Sequence, residues 1–211
     1  MHPKQLLDAC AELVKRTLTF EHPADAVVSR FFRENRNLGP RERAALAETA
    51  YTVLRKKLLF ESLARSGSGS RERRLAILGF AQALARVAGK SEQGVKEALG
   101  FARAALSPQE LQWLDACDAV RPDELMEPHR HNLPEWLVSP LKQQLGEDFW
   151  AFAQSMEQAA PLDLRVNALN AKRADVQKEL ADAGIAAEAT PYSPWGPVSY
   201  THLTLPTNRE V

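Results

Sequence analysis

The sequence is poor in cysteine and lacks long apolar runs, and both features narrow the class of protein. Only Cys10 and Cys117 are present among 211 residues, and they form no CxxC pair. Their apolar, helical surroundings favour buried free thiols over a reactive pair or a metal site. No apolar run approaches the ~20 residues that span a bilayer, and residues 1–20 are charged throughout, unlike a signal peptide. We therefore expect a cytoplasmic protein.

Net charge is also absent, yet the two halves of the chain are charged oppositely. Residues 1–110 carry 19 Lys and Arg against 12 Asp and Glu, whereas residues 111–211 carry 8 against 15. The first half is therefore +7 and the second −7. A basic half is compatible with a polyanion partner such as nucleic acid, although solvated helices carry such charges without any partner.

Apolar residues recur at helical spacing over most of the first 160 residues. The central candidate is the stretch 39–65, which begins with a Gly-Pro pair suited to a first helical turn. Its expected apolar stripe consists of Ala47, Tyr51, Leu54 and Leu58. Further helices are predicted over 3–19, from Pro23, over 71–88, 91–106 and 108–120, and after Asn132 as N-cap. These segments predict a helical bundle.

The periodicity changes at the C-terminal end of this bundle. Residues 162–169 alternate apolar and polar side chains, as a half-buried strand does. Asn170 can cap a following helix, Gly184 can end it, and residues 185–190 can form a second strand. The expected fold is therefore mainly α, a helical bundle followed by a small, incomplete β-α-β segment.

Three short motifs could hold a ligand. Arg71, Arg73 and Arg74 crowd a helix start, where positive charge opposes the helix dipole and favours an external anion, unless the three are merely solvated. The Gly-Ser run 66–70 predicts an exposed, flexible loop and lacks the GxxxxGK[ST] pattern of a phosphate cradle. The His-Arg-His motif 129–131 has no third ligand nearby, so we interpret its histidines as loop residues and expect no metal.

Two parts of the chain resemble a known enzyme family. GPRERAALAETAYTVLRKK (39–57) resembles the central helix of the helical domain shared by the transcription factor NusB and the Sun (RsmB-type) ribosomal RNA methyltransferases. HNLPEWLVSPLKQQLG (131–146) and the segment PLDLRVN to PYSPWG (161–196) resemble the linker and pre-catalytic segment of the RsmB/Nop/Sun family of S-adenosylmethionine-dependent RNA cytosine-C5 methyltransferases. The resemblance implies a NusB-like helical RNA-binding domain over 1–128, a helical linker over 129–160 and the start of a pre-catalytic α/β domain over 161–196.

The motifs that carry this family's chemistry are missing from the sequence. It has neither a Gly-rich cofactor loop nor the Pro-Cys motif that supplies a nucleophilic thiolate. Asp115-Ala116-Cys117 is similar to the family's Asp-Ala-Pro-Cys but lacks the proline, and we reject Cys117 as the nucleophile. We expect no catalytic, cofactor-binding or metal-binding residue here, and S-adenosylmethionine only in the intact protein. Residues 197–211 resemble translated vector or adapter sequence, and we expect a disordered, non-native tail.

The resemblance implies an N-terminal RNA-binding fragment of an RNA cytosine-C5 methyltransferase. We expect a monomer whose partner is ribosomal RNA, with no membrane and no metal partner. Arg165 and Asn167 match the family's R-x-N signature, although an exposed strand arginine and a turn asparagine would equally serve the fold alone. The predicted RNA-binding residues are Arg33, Arg36, Arg41, Arg55, Lys56, Lys57, Arg71, Arg73, Arg74, Arg165 and Asn167.

Two alternatives remain open at this point. The first is a freestanding NusB-like RNA-binding module in transcription antitermination or ribosome assembly, which the α/β segment disfavours because such factors consist of the helical domain alone. The second is a helical interaction domain whose arginines only solvate it.

Overall fold

The computed structural model describes residues 1–88, 91–121, 124–158, 160 and 162–199. The chain divides into two compact units, Met1–Glu157 and Gln158–Val211. Helices make up the first unit, and the second contains a small sheet, so the mainly α fold class is confirmed. The predicted domain borders after residues 128 and 160 stay predictions. In the described part of the chain no helix combines the length and apolar character of a membrane span.

The helices of the first unit follow the predicted segments closely at most positions. They are α1 (Pro3–Thr17), α2 (Ala24–Glu34), α3 (Pro40–Arg55), α4 (Lys57–Leu63), α5 (Arg71–Val87), α6 (Glu92–Ala104), α7 (Pro108–Asp118), α8 (Glu127–His131), α9 (Glu135–Leu145) and α10 (Phe149–Met156), with a short 3-10 helix at Gly146–Asp148. The capping box at the start of α7 is present, because the Glu110 carboxylate accepts the Ser107 N–H at 2.8 Å.

Helices α3 and α5 form the centre of the bundle and approach each other closely. A Cβ atom added to Gly79 of α5 would lie 2.8 Å from Val53 Cγ2 and 3.2 Å from the carbonyl oxygen of Thr49. Thr49 is fully buried, and its hydroxyl donates to the Ala45 carbonyl at 2.7 Å. Small residues on both helices therefore permit this contact.

The predicted stripe of α3 is wrong as the core face. Its four members, Ala47, Tyr51, Leu54 and Leu58, are only half-buried. The fully buried positions include Leu46, Thr49, Ala50 and Val53. Thr49 and Val53 are the two that face Gly79, and their side chains suit its close approach better than tyrosine or leucine would.

The predicted central helix 39–65 is interrupted at Lys56, and Asn132 fills the interruption. The Asn132 Oδ1 atom accepts the N–H groups of Leu58 at 2.9 Å and Leu59 at 3.2 Å, in the first turn of α4. Its Nδ2 atom donates to the Arg55 carbonyl at the end of α3. One amide thus satisfies backbone groups that the ends of both helices leave without intrahelical partners.

Asn132 therefore does not cap the helix that follows it, and that prediction is wrong. Helix α9 starts at Glu135 and has Pro134 at its N-cap. Asn132 instead ends α8 in the left-handed region, with φ of +51°. Asparagine tolerates this conformation, since its short polar side chain forms local hydrogen bonds.

His131 lies beside Asn132 and is buried in an aromatic cluster. Its ring contacts Phe149 and Trp150 with centroid distances of 6.0 and 6.4 Å, and its Nδ1 atom accepts the Leu133 N–H at 3.0 Å. Burial lowers the pKa of His131, so the neutral ring is favoured. The prediction that His129 and His131 lie in a loop is wrong, because both belong to α8.

The second unit is a three-stranded antiparallel sheet with one helix. Its elements are β1 (Leu162–Asp163), α11 (Arg173–Asp182), β2 (Ala187–Ala189) and β3 (Pro197–Ser199). The order is β1-β3-β2, with Leu162 and Ala187 both opposite Ser199. The β-α-β unit is therefore present, but its two strands are separated by a third strand.

Two details of the predicted β-α-β segment require correction. Helix α11 begins at Arg173 after Lys172, so Asn170 is not its N-cap. Disorder from residue 197 onward is wrong for residues 197–199, since they form the central strand. Residues 200–211, where the rest of the predicted tail falls, lie outside the described residues.

The predicted end of α11 is confirmed, because Gly184 has φ of +77° and the Ile185 N–H donates to the Leu180 carbonyl at 2.8 Å.

The close α3–α5 contact predicts that one added methyl group at Gly79 lowers the stability of the protein. Gly79→Ala should destabilise the protein by about 1–3 kcal/mol, because the methyl group collides with Val53 and Thr49. Gly100→Ala in α6 is the matched control, since its Cβ would meet nothing within 4 Å. That control should gain up to about 1 kcal/mol from helix propensity. Urea unfolding measures both, and equal effects of the two changes would contradict the close approach.

The hydrogen bonds of the Asn132 side chain predict that its removal also lowers the stability of the protein. Asn132→Gly keeps the left-handed backbone but leaves the three α3 and α4 backbone groups unpaired, so about 1–3 kcal/mol should be lost. Asn132→Ala should lose about 1 kcal/mol more through backbone strain. Asn37→Ala, at an exposed turn asparagine, should change stability by less than about 0.5 kcal/mol. If Asn132→Gly unfolded at the same urea concentration as the wild type, the Asn132 side chain would not stabilise the break between α3 and α4.

Candidate nucleic-acid interface

The nine basic residues predicted to contact RNA in the first unit do not form one patch. Arg41 lies in the first turn of α3 and Arg55 at its last position. At about 1.5 Å of rise per residue the two are roughly 21 Å apart along the helix axis. The nine residues therefore fall into separate groups with different surroundings.

Three of these residues cluster where α2 turns into α3, and we call them the corner arginines. They are Arg33, Arg36 and Arg41, and all are exposed. Within the described part of the chain their side chains form neither an ion pair nor a hydrogen bond. Guanidinium groups in this state can bind phosphate oxygens without first breaking an internal contact.

The carboxylates beside the corner arginines are already occupied. Glu34 accepts from Arg16 at 2.6 Å and from Arg30 at 3.1 Å, and these bonds lower its pKa. Glu42 accepts from the N-terminal amine at 2.7 Å and from the Gly39 N–H at 2.5 Å, which lowers its pKa in the same way. The corner therefore keeps a surplus of positive charge.

Arg55, by contrast, holds a buried carboxylate. Glu48 is 2% exposed, and its Oε1 atom accepts from Arg55 at 2.5 Å and from Arg86 of α5 at 2.9 Å. Removing a partner of a buried ion leaves a charge without compensation, which is strongly destabilising. Arg55 therefore has a structural role within α3, and Arg86 links the same carboxylate to α5.

Lys57 and Arg71 share one carboxylate. Both pair with Glu61, Lys57 at 3.0 Å. Partial burial raises the pKa of Glu61, but the two cations outweigh that effect and the pKa is lowered. Lys56 is half-buried and forms no side-chain hydrogen bond within the described residues. The predicted Arg55 to Lys57 group is therefore largely committed to internal contacts.

Arg73 and Arg74 also have internal partners. Arg73 pairs with Asp8 and Glu110, each at 2.5 Å, and the bond from Arg73 is the main cause that lowers the pKa of Glu110. Arg74 donates to the carbonyls of Gly67 and Gly69 at 3.3 and 2.7 Å. An external anion is not needed to explain either arginine, and their role in RNA binding stays a prediction that these contacts do not favour.

The loop that Arg74 holds is exposed, as predicted, but it is anchored. Trp113 donates from its indole N–H to the Ser66 hydroxyl at 3.0 Å. A Cβ atom on Gly67, which has φ of +93°, would lie 2.8 Å from the Trp113 ring. The Gly-Ser run therefore packs against Trp113 of α7, whereas the sequence predicted a flexible loop.

In the second unit, Arg165 and Asn167 lie together in an open cleft of about 400 Å³. Its lining consists of Arg165, Val166, Asn167, Ala168, Leu169 and Trp195. Arg165 is exposed, and its side chain has no hydrogen bond or ion pair within the described residues. Both residues line this opening, so the R-x-N motif brings a cation and an amide to the same cleft.

The cleft also contains an aromatic residue, Trp195, that is not among the predicted RNA-binding residues. The Val166 N–H donates to the Trp195 carbonyl at 2.9 Å and extends the β1–β3 ladder beyond its assigned ends. The backbone of Trp195 is thereby held beside the R-x-N motif, and the residue is 45% exposed. The available signal was its position between Pro194 and Gly196, because proline and glycine mark turns and turns run over the protein surface.

The two thiols are unsuited to nucleophilic chemistry. Both are free and buried, as predicted. Burial raises the pKa of Cys10 to about 12 and also raises the pKa of Cys117. The thiolate is the reactive form, so both groups are inert at neutral pH.

Comparisons with known proteins support the resemblance in the region where it is most specific. Residues 133–197 match the family model described as Methyltr_RsmF/B-like, ferredoxin-like domain. The resemblance to this methyltransferase family is thereby confirmed for that segment, which contains Arg165, Asn167 and Trp195. No curated protein matches the chain.

Among solved structures, the chain is similar to the crystal structure of PH0851. The TM-score is 0.57 at 17% sequence identity, and the match covers 96% of this chain and 50% of PH0851. The chain therefore spans about half the length of that protein. At this identity the likeness establishes a shared fold.

Proposed function

We propose that this chain is the N-terminal RNA-binding part of a cytoplasmic RNA cytosine-C5 methyltransferase that modifies ribosomal RNA. The observation that carries the proposal is the match of residues 133–197 to the ferredoxin-like domain of RsmF/B-like methyltransferases. The freestanding NusB-like module does not account for this segment. In this proposal S-adenosylmethionine and the catalytic cysteines belong to the rest of the intact protein, and the chain alone does not methylate.

In this proposal, the corner arginines make the RNA contacts of the first unit. Of the nine predicted basic residues, these three combine exposure with side chains that have no internal partner in the described structure. Contacts of guanidinium groups with phosphates position an RNA without reading its sequence. Binding should therefore be strong at low salt and weaken steeply as salt is added.

Charge reversal at the corner tests this assignment. The triple change Arg33→Glu, Arg36→Glu and Arg41→Glu should weaken binding of a single-stranded RNA and lower the log-log salt slope by about 2, since each lost phosphate contact removes roughly 0.7. A filter-binding titration against salt measures both quantities. Arg55 is unsuitable for this test, because a glutamate there would face the buried Glu48.

The matched control reverses three exposed lysines on different helices. Lys4, Lys96 and Lys178 lie on α1, α6 and α11, and their replacement by Glu changes the net charge equally. That control should leave the salt slope closer to the wild-type value. A wild-type chain without RNA affinity at low salt would overturn the proposed function, whereas equal losses in both triple variants would overturn only the assignment to the corner.

A further inference from the structure

The cleft of the second unit places three chemically different groups next to one another. Trp195 offers a half-exposed aromatic ring, Arg165 a cation without an internal partner, and Asn167 a side-chain amide. The Asn167 Oδ1 atom accepts the Leu169 N–H at 3.1 Å. Its Nδ2 group has no partner among the described residues, so a donor remains for a ligand.

The turn that carries Trp195 is held by a dense set of hydrogen bonds. The Thr190 N–H donates to the Gly196 carbonyl at 2.8 Å, and the Thr190 hydroxyl donates to the Ser193 carbonyl at 3.1 Å. Arg173 of α11 donates to the same Ser193 carbonyl at 3.1 Å. A surface aromatic group on an ordered turn loses little conformational entropy on binding, which favours its use as a contact.

The surroundings of the cleft add exposed apolar and aromatic surface. Leu169 at one end is 94% exposed, and Tyr192 in the turn is 98% exposed. Neither side chain contributes to a core in this state. An aromatic face, a cation and an amide donor correspond to the three parts of a nucleotide, namely the base plane, the phosphate and the base edge.

We infer that Trp195 is a stacking platform for an unpaired RNA base, with Arg165 on a neighbouring phosphate and Asn167 on the base edge. This inference rests on the proposed function and narrows its substrate class to single-stranded RNA. Bases within a duplex are already stacked on both faces, so they cannot lie on the indole ring. Phosphate contact alone, as at the corner arginines, would not make this distinction.

The test compares two short oligoribonucleotides of equal length and charge. One carries its bases, and the other is abasic at its central positions. Fluorescence anisotropy with the full 211-residue chain should show the base-bearing strand bound more tightly, by roughly 5- to 150-fold for each stacked base. Trp195→Ala should lose most of this preference while keeping the affinity for the abasic strand, and Trp195→Phe should retain part of it.

Trp136→Ala is the matched control for a lost tryptophan. Trp136 lies on α9 and is 76% exposed, so its removal should leave the preference unchanged. Tryptophan fluorescence supplies a second readout that does not depend on the alanine variant being folded. The base-bearing strand should quench the wild type, and Trp195→Phe should lose that quenching whereas Trp136→Phe should keep it.

The outcomes separate the inference from the proposed function. If the chain binds RNA but Trp195→Phe retains full quenching, or the abasic strand binds equally well, the stacking role is overturned and RNA binding stands. If the wild-type chain binds neither strand at low salt, both the inference and the proposed function are overturned.

Discussion

The close approach of α3 and α5 is the constraint on which the rest of the first unit depends. Gly79 brings the two backbones together against Thr49 and Val53, and Glu48, next to Thr49 on α3, is also buried. A buried carboxylate requires compensation, and Arg55 and Arg86 supply it from the two helices. Packing at the centre thus gives Arg55 and Arg86 a structural role.

Such internal pairing explains why a basic composition alone gives an incomplete account of function. Arg73 and Arg74 look like an anion site in the sequence, yet Asp8, Glu110 and the carbonyls of the Gly-Ser loop take up their hydrogen bonds. The corner arginines have the same chemistry, but their neighbouring carboxylates are bound elsewhere. Only basic side chains without an internal ion pair or hydrogen bond are available to bind a ligand.

Local signals predicted the helices well because they act within a few residues. The capping box of Ser107 and the left-handed Gly184 are examples, and both were found at the predicted positions. Apart from the Asn170 cap, the main failures involve partners distant in sequence. The break at Lys56 depends on Asn132, more than seventy residues away, and the burial of Thr49 depends on Gly79. The central strand β3 was missed because its pairing with β1 and β2 is not visible in its own short sequence.

In the candidate site, too, some residues could be predicted from the sequence and one could not. Arg165 and Asn167 could be selected because a motif of known spacing carries them, whereas Trp195 is brought to the cleft by backbone pairing with Val166. The aromatic residue completes the chemistry that the motif alone leaves ambiguous. A strand arginine and a turn asparagine serve many folds, but together with an exposed indole ring they fit a nucleotide.

Photo-cross-linking gives the most direct test of the central claim that this chain contacts RNA. A single-stranded RNA containing 4-thiouridine would be irradiated with the full chain at low salt, and the attached peptides would be identified by mass spectrometry. The account predicts cross-links in the α2–α3 corner and in the segments that contain Arg165 and Trp195. Cross-links confined to other segments, or none above the level of a neutral control protein, would contradict it.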